Sequence, residues 1–454
     1  MTSLAAPHGQ RRVLLISPFF PPETGAATHR VRLLAPHLSR YGWKPTILSV
    51  DPRDYEGRLD PDLLELVPRE LEVVRRRAWS PASTRRMGMG DLGLRSFTGL
   101  LRGSIDLLEK EPYDAFFISI FPAYTSLLGP ILKRRFLLPF VLDYIDPWVS
   151  AWGKEVGGGR QGRPDFKSRM SRWLALALEP RVLRHVDAIT AVSAATFEPM
   201  YRRHAWLQGV PSAEIPYGGE AADFARLRQH PRKNAWFDPR DGRFHLCYVG
   251  TLLPLGFETL RAVLGAAAQL RNLHPQAYAR LRLHFFGTSN QTAIDAPSRV
   301  LPVAQEFGIA DCVNEVPWRI DYLDALTVQT QASAVLMMGS SERHYTASKL
   351  YPGLLSGRPV LAVYHEASTV VTTLRQSARP PAAWMVTYSD QDRAESRQQQ
   401  IAATLLEMMN AVYDPGAVNW SALQEFSAER LAGRLAGIFD LVASTRQQAT
   451  AAHR

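Results

Sequence analysis

Cysteines are scarce in this sequence, and an apolar leader is lacking. Cys247 and Cys312 are the only cysteines among 454 residues, too few for a disulfide framework or a zinc cluster. The opening residues, MTSLAAPHGQRR, contain no apolar stretch of the kind that a signal peptide needs. We therefore expect a cytoplasmic protein whose cysteines have no catalytic role.

Long apolar runs are also rare, and only one segment is long enough to be considered as a membrane span. Residues Ala115 to Leu132, AFFISIFPAYTSLLGPIL, carry no charge over about the length of a membrane span. Pro122, Gly129 and Pro130 interrupt this run, which is typical of a buried strand, a turn and an amphipathic helix. The segment therefore predicts core structure and not a transmembrane helix.

Acidic residues are fewer than basic ones. The net charge is +10, with +8 of it before Gly219, and the basic groups include Arg85-Arg86, Lys133 to Arg135 and the segment from Lys167 to Arg184. No recognised nucleic-acid motif accompanies them, so we expect no nucleic-acid partner. Two interpretations stay open, a solvated basic face and a peripheral contact with an anionic membrane surface at the inner membrane face.

The first half of the chain alternates between apolar strands and amphipathic helices. Val13 to Ser17 is a short apolar run, Thr28 to Tyr41 has apolar residues at helical spacing, and Lys44 to Val50 resumes as a strand. The same pattern predicts strands at Asp114 to Ile120, Phe140 to Tyr144 and Ala188 to Val192, and helices at Phe97 to Leu108, Tyr124 to Leu132 and Ser168 to Arg184. Strands of this kind predict a buried parallel sheet.

The second half repeats this alternation after a segment rich in proline, glycine and charge, Ile215 to Gly242, which resembles an interdomain connection. Strands are predicted at Phe244 to Val249, Leu281 to Phe286, Ala334 to Met338 and Pro359 to Val363, with helices at Phe257 to Leu270, Val300 to Phe307 and Ser348 to Leu355. Helical periodicity from Trp420 to Val442 predicts a last helix, followed by a frayed tail.

Two α/β domains follow from this order. We expect two Rossmann-like, doubly wound domains facing each other across a cleft, with ligands at the carboxyl ends of their strands. The expected bounds are 1–222 for the first domain and 223–420 for the second, with residues 421–454 packing back on the first domain as a helix and tail.

Glycine-containing loops follow three predicted strands. In the first, PFFPPETGAA, Gly25 and Ala26 let the backbone approach a ligand at a helix N-terminus, where free amides suit an anion. Gly250 and Thr251 have the same place in the second half, and Gly287 opens a turn suited to a base or ribose. This is not the G-x-G-x-x-G dinucleotide pattern, and a plain tight loop remains the alternative for the first of them.

A polar loop leads into a helix near Ser348. That residue is a suitable N-cap, and the helix start with Lys349 offers free amides and an ammonium group to a diphosphate. Glu342 is placed to accept hydrogen bonds from sugar hydroxyls, although a surface pair of Glu342 with Lys349 is the alternative.

Taken in order, these segments resemble the retaining glycosyltransferases of family four, which have the GT-B fold. The resemblance rests on ISPFFPPETGAATHRVRLLAPHLSRYGW, VDAITAVSAAT, IPYGGEAADF, FHLCYVGTL and SKLYPGLLSGRPVLA, and it covers nearly the whole chain. The stretch LDYIDPW resembles the family's D-x-x-D-x-W beside the acceptor, with Asp146 in a position to orient the acceptor hydroxyl and Asp143 structural. For Asp146, a helix cap or ion pair remains the alternative.

The resemblance implies a set of site residues. The catalytic candidates are Asp146, Glu342 and Lys349, and the donor-binding candidates are Gly25, Ala26, Gly250, Thr251, Gly287, Trp318, Arg319, Tyr345, Ser348 and Leu350. Two positions depart from the family's pattern: Pro352 stands where a ribose-binding glutamate is usual, and Thr251 and Leu255 occupy a loop where a basic residue is usual.

The implied reaction is a retaining transfer that needs no metal and no cofactor. A nucleotide-sugar donor would give its sugar to a glycan, lipid-linked or small-molecule acceptor, with polysaccharide biosynthesis the usual setting in this family. Two other classes stay open. The departures at Pro352 and Thr251 would suit a non-catalytic scaffold that binds a nucleotide sugar or a partner, and a sugar-nucleotide epimerase shares the same architecture.

Overall fold

The computed structural model describes residues 10–86, 89–150, 154–155, 163–340 and 350–452. Contacts divide the chain into two compact units. Unit 1 comprises Met1–Tyr217 and Ala428–Arg454, and unit 2 comprises Gly218–Ser427.

The strands of the described residues lie in two sheets. They are β1 (Arg11–Ile16), β2 (Trp43–Val50), β3 (Glu72–Arg76), β4 (Ala115–Ser119), β5 (Phe140–Tyr144), β6 (Ala188–Ala191), β7 (Ser212–Glu214), β8 (Phe244–Val249), β9 (Leu281–Gln291), β10 (Val313–Trp318), β11 (Ala334–Met338), β12 (Val360–His365) and β13 (Ala383–Tyr388).

The α-helices lie between these strands and after the last one. They are α1 (Ala26–Leu34), α2 (Pro81–Arg85), α3 (Leu92–Lys110), α4 (Leu128–Phe136), α5 (Phe166–Leu183), α6 (Phe197–Arg203), α7 (Ala221–Gln229), α8 (Phe257–Leu273), α9 (Pro275–Arg280), α10 (Leu301–Glu306), α11 (Tyr322–Gln331), α12 (Leu350–Leu355), α13 (Thr369–Ser377), α14 (Gln398–Asn410), α15 (Trp420–Leu423) and α16 (Ala428–Ala452).

Unit 1 is built on a parallel sheet with the strand order β3-β2-β1-β4-β5-β6-β7. Strands β4 and β5 are buried along their whole length, because both sheet faces are covered and most of their residues are apolar. The order reverses between β1 and β4, and the carboxyl ends of these two strands therefore border the crevice where doubly wound sheets bind ligands.

Unit 2 repeats the architecture with the order β10-β9-β8-β11-β12-β13, again with parallel pairing. Here the reversal lies between β8 and β11. Two Rossmann-like doubly wound sheets confirm the fold class that the sequence predicts.

The last helix of the chain belongs to the core of unit 1. Leu431, Leu435 and Phe439 of α16 are buried at 1% exposure or less and lie in one cluster with Trp43 and residues of β1 and β4. The Phe439 ring lies 5.3 Å from that of Trp43, so a segment that ends the sequence covers one face of the first sheet.

Several element boundaries differ from the sequence prediction. The helix expected over Thr28 to Tyr41 is α1 to Leu34 and then a 3-10 helix, Ala35–Tyr41, because Pro36 lacks the amide that an α-helix would use. The helix expected over Trp420 to Val442 is interrupted at Gln424–Phe426, and α16 then continues to Ala452 through the expected tail.

Four strands, β3, β7, β10 and β13, have no counterpart in the prediction. Strand β3 at the edge of its sheet is EVVRR, with charged residues at three of five positions, and β7 has only three residues. Strands this short or this charged lack the apolar run on which recognition depends. Strand β13, AWMVTY, does have an apolar run, and the sequence prediction missed it.

The uncharged segment from Ala115 to Leu132 forms β4, a 3-10 turn at Ala123–Leu127 and the start of α4, which confirms the predicted strand, turn and helix. Across the described residues, no helix combines the length and the apolar character that crossing a bilayer requires.

Candidate functional site

A solvent-accessible cavity of about 490 Å³ lies in unit 1 at the carboxyl ends of β1, β4 and β5. It occupies the place where this strand order positions a ligand. Its lining comes from the loops after β1, β2, β4 and β5 and from the start of α3 with the two residues before it: Phe19, Glu23, Glu56, Gly57, Gly90, Asp91, Leu92, Arg95, Ile120, Phe121, Pro122, Ala123, Asp146, Pro147 and Trp148.

Aromatic rings line one part of the cavity. Phe19 lies 6.0 Å from Phe121 and 5.8 Å from Tyr55, measured between ring centroids. Trp148 packs edge-on against Tyr124 at 5.8 Å, and the Phe121 side chain is 46% exposed. Rings that are held by neighbours and yet reach solvent offer flat apolar surfaces for a ligand.

Four carboxylates share this lining, and two of them have perturbed pKa values. Neighbouring protein atoms partly desolvate the Asp146 carboxyl group and so raise the pKa of Asp146, although the residue reaches the surface. Burial likewise raises the pKa of Asp91, which caps α3 by accepting from the Leu94 amide at 3.2 Å. The structure therefore brings Asp146 into a cavity with acids that are far from it in sequence, Glu23, Glu56 and Asp91.

Arg95 is the basic side chain of the lining and is 1% exposed. Its guanidinium donates to the carbonyl oxygens of Trp79 at 2.8 Å and Asp54 at 3.1 Å, and lies 3.9 Å from Glu56. Its Nε is buried without a hydrogen-bond partner among the described residues. Carboxylates thus outnumber cations in the cavity, which disfavours a ligand of high negative charge.

The Glu23 side chain lies close to the N-terminus of α1. Glu23 accepts a hydrogen bond from the Thr28 hydroxyl, and its Oε1 lies 2.9 Å from where a Cβ on Gly25 would be. A carboxylate therefore lies beside the loop in which the sequence predicts a ligand anion near Gly25 and Ala26, and its charge would repel such an anion. The Ala26 carbonyl accepts from the Tyr217 hydroxyl at 2.9 Å.

A buried ion pair lies beneath α1. Arg30 and Asp143 are 1% and 0% exposed and make two hydrogen bonds of 2.9 and 2.7 Å. Asp143 also accepts from the Thr190 hydroxyl at 2.7 Å, and Arg30 donates to the Ile215 carbonyl at 2.5 Å. The pair joins α1, β5, β6 and the end of the first chain segment of unit 1, which agrees with a structural part for Asp143.

Unit 2 has a small pocket at the carboxyl ends of β8 and β11. It is lined by Tyr248, Thr251, Leu252, Leu253, Gly256, Met338, Gly339 and Ser340. Thr251 is therefore beside this pocket, but the neighbouring amides are in use. The Gly250 amide donates to Phe286 at 2.8 Å and the Leu252 amide donates to Thr288 at 2.9 Å, so these two amides are not available to an anion.

The predicted turn at Gly287 is a continuation of β9. Gly287 has φ of 74°, which favours glycine, and no atom lies within 4 Å of a Cβ placed there. The following Thr288 and Ser289 are buried and bonded internally, with the Thr288 hydroxyl 2.5 Å from Glu315. Glu315 also accepts from amides at the start of α10, including that of Val300 at 2.9 Å. Its carboxylate therefore has a structural role.

The remaining donor candidates divide into two groups. Trp318 ends β10, and the Arg319 amide donates to Gln291 at 2.7 Å. Leu350 begins α12 and is 7% exposed in an apolar cluster, so its side chain packs in the core. Glu342, Tyr345, Ser348 and Lys349 lie outside the described residues.

Residues that sequence reasoning missed are Glu23, Asp91, Arg95 and the aromatic pair of Phe19 with Phe121. The sequence could have indicated Phe121, because it comes just after the predicted buried strand, where ligands bind in such sheets. Asp91 also precedes a helix as an N-cap type. The pattern does not reveal that these residues line the same cavity as Asp146, since they come from separate loops.

Comparison with known proteins bears on the family and the fold. Residues 25–218 match the family described as a glycosyl transferase 4-like domain. No curated protein matches the sequence.

Solved structures show the same fold at low sequence identity. Anabaena Alr3699/HepE in complex with UDP has 14% identity and a TM-score of 0.56, covering 95% of this chain and 99% of its own. A glycosyltransferase from Rickettsia africae has 11% identity and a TM-score of 0.54, covering 96% and 99%. A UDP-forming α,α-trehalose-phosphate synthase from Burkholderia vietnamiensis has 10% identity and a TM-score of 0.55, covering 96% and 100%.

The chain therefore has the GT-B architecture, with two Rossmann-like parallel sheets. The family match and this architecture together support a glycosyltransferase.

Proposed function

We propose that this protein transfers a sugar from a nucleotide-sugar donor to an acceptor hydroxyl, with retention of configuration and without a metal. The observation that carries the proposal is the cavity of acids and aromatic rings at the strand-order reversal of unit 1, a unit in which residues 25–218 match a glycosyl transferase 4-like domain. Because solved structures of the Anabaena protein contain UDP and UDP-glucose, UDP-sugars are the first donors to test.

The cavity of unit 1 is proposed to hold the acceptor. Carboxylate oxygens accept hydrogen bonds from sugar hydroxyls, and a sugar ring can pack its apolar face on Trp148 or Phe121. The acids also disfavour a phosphate in this cavity. The acceptor end that enters it is therefore proposed to be an uncharged, polyhydroxylated group of a glycan, glycolipid or small molecule.

Asp146 is proposed to accept the hydrogen bond of the attacking hydroxyl and so orient it. The carboxylate must be ionised for this, and burial by neighbouring atoms raises its pKa. As the pH falls, the rate should therefore begin to drop at a higher pH than an ordinary aspartate would produce. In unit 2, Lys349 and Ser348, where the sequence predicts a helix start, are proposed to stabilise the leaving diphosphate, and Glu342 to contact the transferred sugar.

The test is a donor screen with UDP-, GDP- and dTDP-sugars against glycan and glycolipid acceptors, read by nucleoside diphosphate release and by mass spectrometry of the product. Asp146→Asn should lower turnover about 100-fold and remove the acid limb of the pH profile. Asp106→Asn is the matched control, because Asp106 is a surface carboxylate, 62% exposed and paired with Arg76; its turnover should equal that of the wild type.

A non-catalytic scaffold is the second candidate, favoured by Pro352 at the position of the usual ribose ligand and by the Glu23 carboxylate beside the start of α1. Calorimetry with the same nucleotide sugars distinguishes the two. Binding with no product and no nucleoside diphosphate release would favour the scaffold.

Turnover that is equal in Asp146→Asn and the wild type would remove Asp146 from the mechanism. An anomeric product of inverted configuration would contradict retention.

A further inference from the structure

Helix α5 of unit 1 carries large apolar side chains on its solvent face. Phe166 is 82% exposed, Trp173 66%, Met170 46% and Leu176 42%. At 100° per residue, Phe166, Met170 and Trp173 lie within one narrow stripe, and Leu176 borders it. The four residues span roughly 15 Å along the helix axis. Exposed apolar surface of this extent marks an interaction face.

The opposite face of α5 is the one that packs on unit 1. Ser168, Ala175, Glu179 and Val182 are buried on that side. A capping box of Asp165 with Ser168 defines the start of the helix. The exposed stripe therefore belongs to a well-anchored helix whose own core-facing residues are already satisfied.

Basic residues flank the stripe. Lys167, Arg169, Arg181 and Arg184 are exposed on or just after α5. The acidic residue within the helix, Glu179, is 1% exposed and paired with Arg203 at 2.9 Å. The solvent face of α5 is consequently apolar along its middle and positive along its edges.

The same surface extends past the end of the helix. The Arg184 guanidinium lies 5.7 Å from the ring centre of Trp206, and Trp206 is 47% exposed. An exposed tryptophan beside an arginine is a pairing typical of membrane interfaces, where the ring lies at the level of the lipid headgroups.

We propose that α5 docks this protein on an anionic lipid bilayer, with Phe166, Met170 and Trp173 entering the headgroup region. An interfacial helix requires an apolar face with cationic side chains beside it, and Lys167 and Arg169 meet that requirement. The charge also selects this occupant over a second copy of the chain, because two such faces would bring like charges together. This proposal does not depend on the glycosyl transfer proposed above.

Vesicle sedimentation tests the proposal with the full-length protein. Vesicles of phosphatidylcholine alone are compared with vesicles containing phosphatidylcholine and phosphatidylglycerol at 7:3, at low and at physiological salt. The wild type should bind the anionic vesicles and lose binding as salt increases. Phe166→Ser with Trp173→Ser should lower the partition coefficient about tenfold or more. Lys167→Glu with Arg169→Glu should do the same on the anionic vesicles.

The matched control is Leu273→Ser with Ile294→Ser, which removes two side chains of unit 2 that are 69% and 75% exposed. Its partition should equal that of the wild type. All variants alter exposed residues, so their thermal melting should match the wild type, and the charge variant tests the face independently if the serine variant melts early. Equal binding of wild type and both α5 variants would overturn the proposal. So would a dimer in gel filtration that the serine variant abolishes while no variant binds vesicles.

Discussion

At the scale of single residues, Arg30 and Asp143 show how a charge is held inside unit 1. Burial by itself would lower the pKa of Arg30, but the charge of Asp143 and its hydrogen bonds outweigh that effect, and the pKa is raised. The arginine is therefore charged in the interior, where an unpaired charge is costly. The pair orients α1 against β5 and holds the segment at Ile215, and so fixes elements that lead to the cavity.

Arg30→Met tests this arrangement, because it leaves the Asp143 carboxylate buried with its main cation removed. We expect the free energy of unfolding of unit 1 to fall by about 3–5 kcal/mol, measured by urea titration followed by circular dichroism. Arg40→Met is the control, since Arg40 pairs with Glu429 on the surface, where the two side chains are 63% and 43% exposed. Its effect should stay within about 1 kcal/mol. Similar losses in both variants would contradict a special contribution from the buried pair.

At the scale of elements, two exposed leucines at helix C-termini differ in backbone conformation: one follows α4 and the other ends α8. Leu137 follows α4 with φ of 54° and donates its amide to Lys133 at 2.8 Å, and it is 74% exposed. Leu273 is the last residue of α8 and is 69% exposed. A left-handed conformation strains leucine but not glycine, whereas a helical position favours leucine.

The same substitution should therefore have opposite effects at the two helix ends. Leu137→Gly should raise the free energy of unfolding by about 0.5–1 kcal/mol, and Leu273→Gly should lower it by up to about 1 kcal/mol. Thermal unfolding of the two variants beside the wild type measures both. A loss of stability in Leu137→Gly would show that the leucine side chain contributes more than its backbone strain costs.

At the scale of the whole molecule, the last helix returns to the unit in which the chain begins. Phe439 of α16 is fully buried, with its ring 6.1 Å from Phe117 of β4 and at a near-right angle to it. The first sheet thus depends on residues more than 300 positions away in sequence. The family match and the GT-B architecture together support a glycosyltransferase, but the fold alone does not choose the donor or the acceptor.

Phe439→Ala should destabilise unit 1 by about 3–5 kcal/mol, because it leaves a cavity among Trp43, Phe117 and the α16 leucines. Leu441→Ala, two residues further on and 47% exposed, should cost less than about 1 kcal/mol. Denaturant titration of both variants provides the comparison. Should Phe439→Ala melt with the wild type, α16 would not be part of the cooperative core of unit 1.

Much of the fold could be predicted from sequence because it depends on local patterns. Short stretches of sequence are enough to recognise the apolar runs of β1, β4 and β8 and the helical spacing of α3 and α8. Pro36 shows the limit: the apolar spacing continues past it, yet the α-helix ends at Leu34. Strand β7 shows another, since a three-residue edge strand is defined by its neighbour more than by its own residues.

The candidate site was less predictable, because its parts act through contacts between distant segments. Sequence placed Asp146 after β5 and Gly25 before α1. It did not place Asp91 or Arg95 in one cavity with Asp146, and it did not show that Glu23 lies beside the start of α1. Gly250 was expected to present a free amide, but that amide bonds to Phe286 of the neighbouring strand.

The amino-acid order by itself determined two doubly wound sheets, because alternating apolar strands and amphipathic helices can bury their faces in few other ways. It also determined the loops at the carboxyl ends of the strands, where ligands bind in such sheets. Only the tertiary structure decided which side chains meet in the cavity, which helix start has a glutamate beside it, and which face of α5 is left to solvent. Those outcomes depend on packing between segments far apart in the chain, and local sequence patterns do not encode that packing.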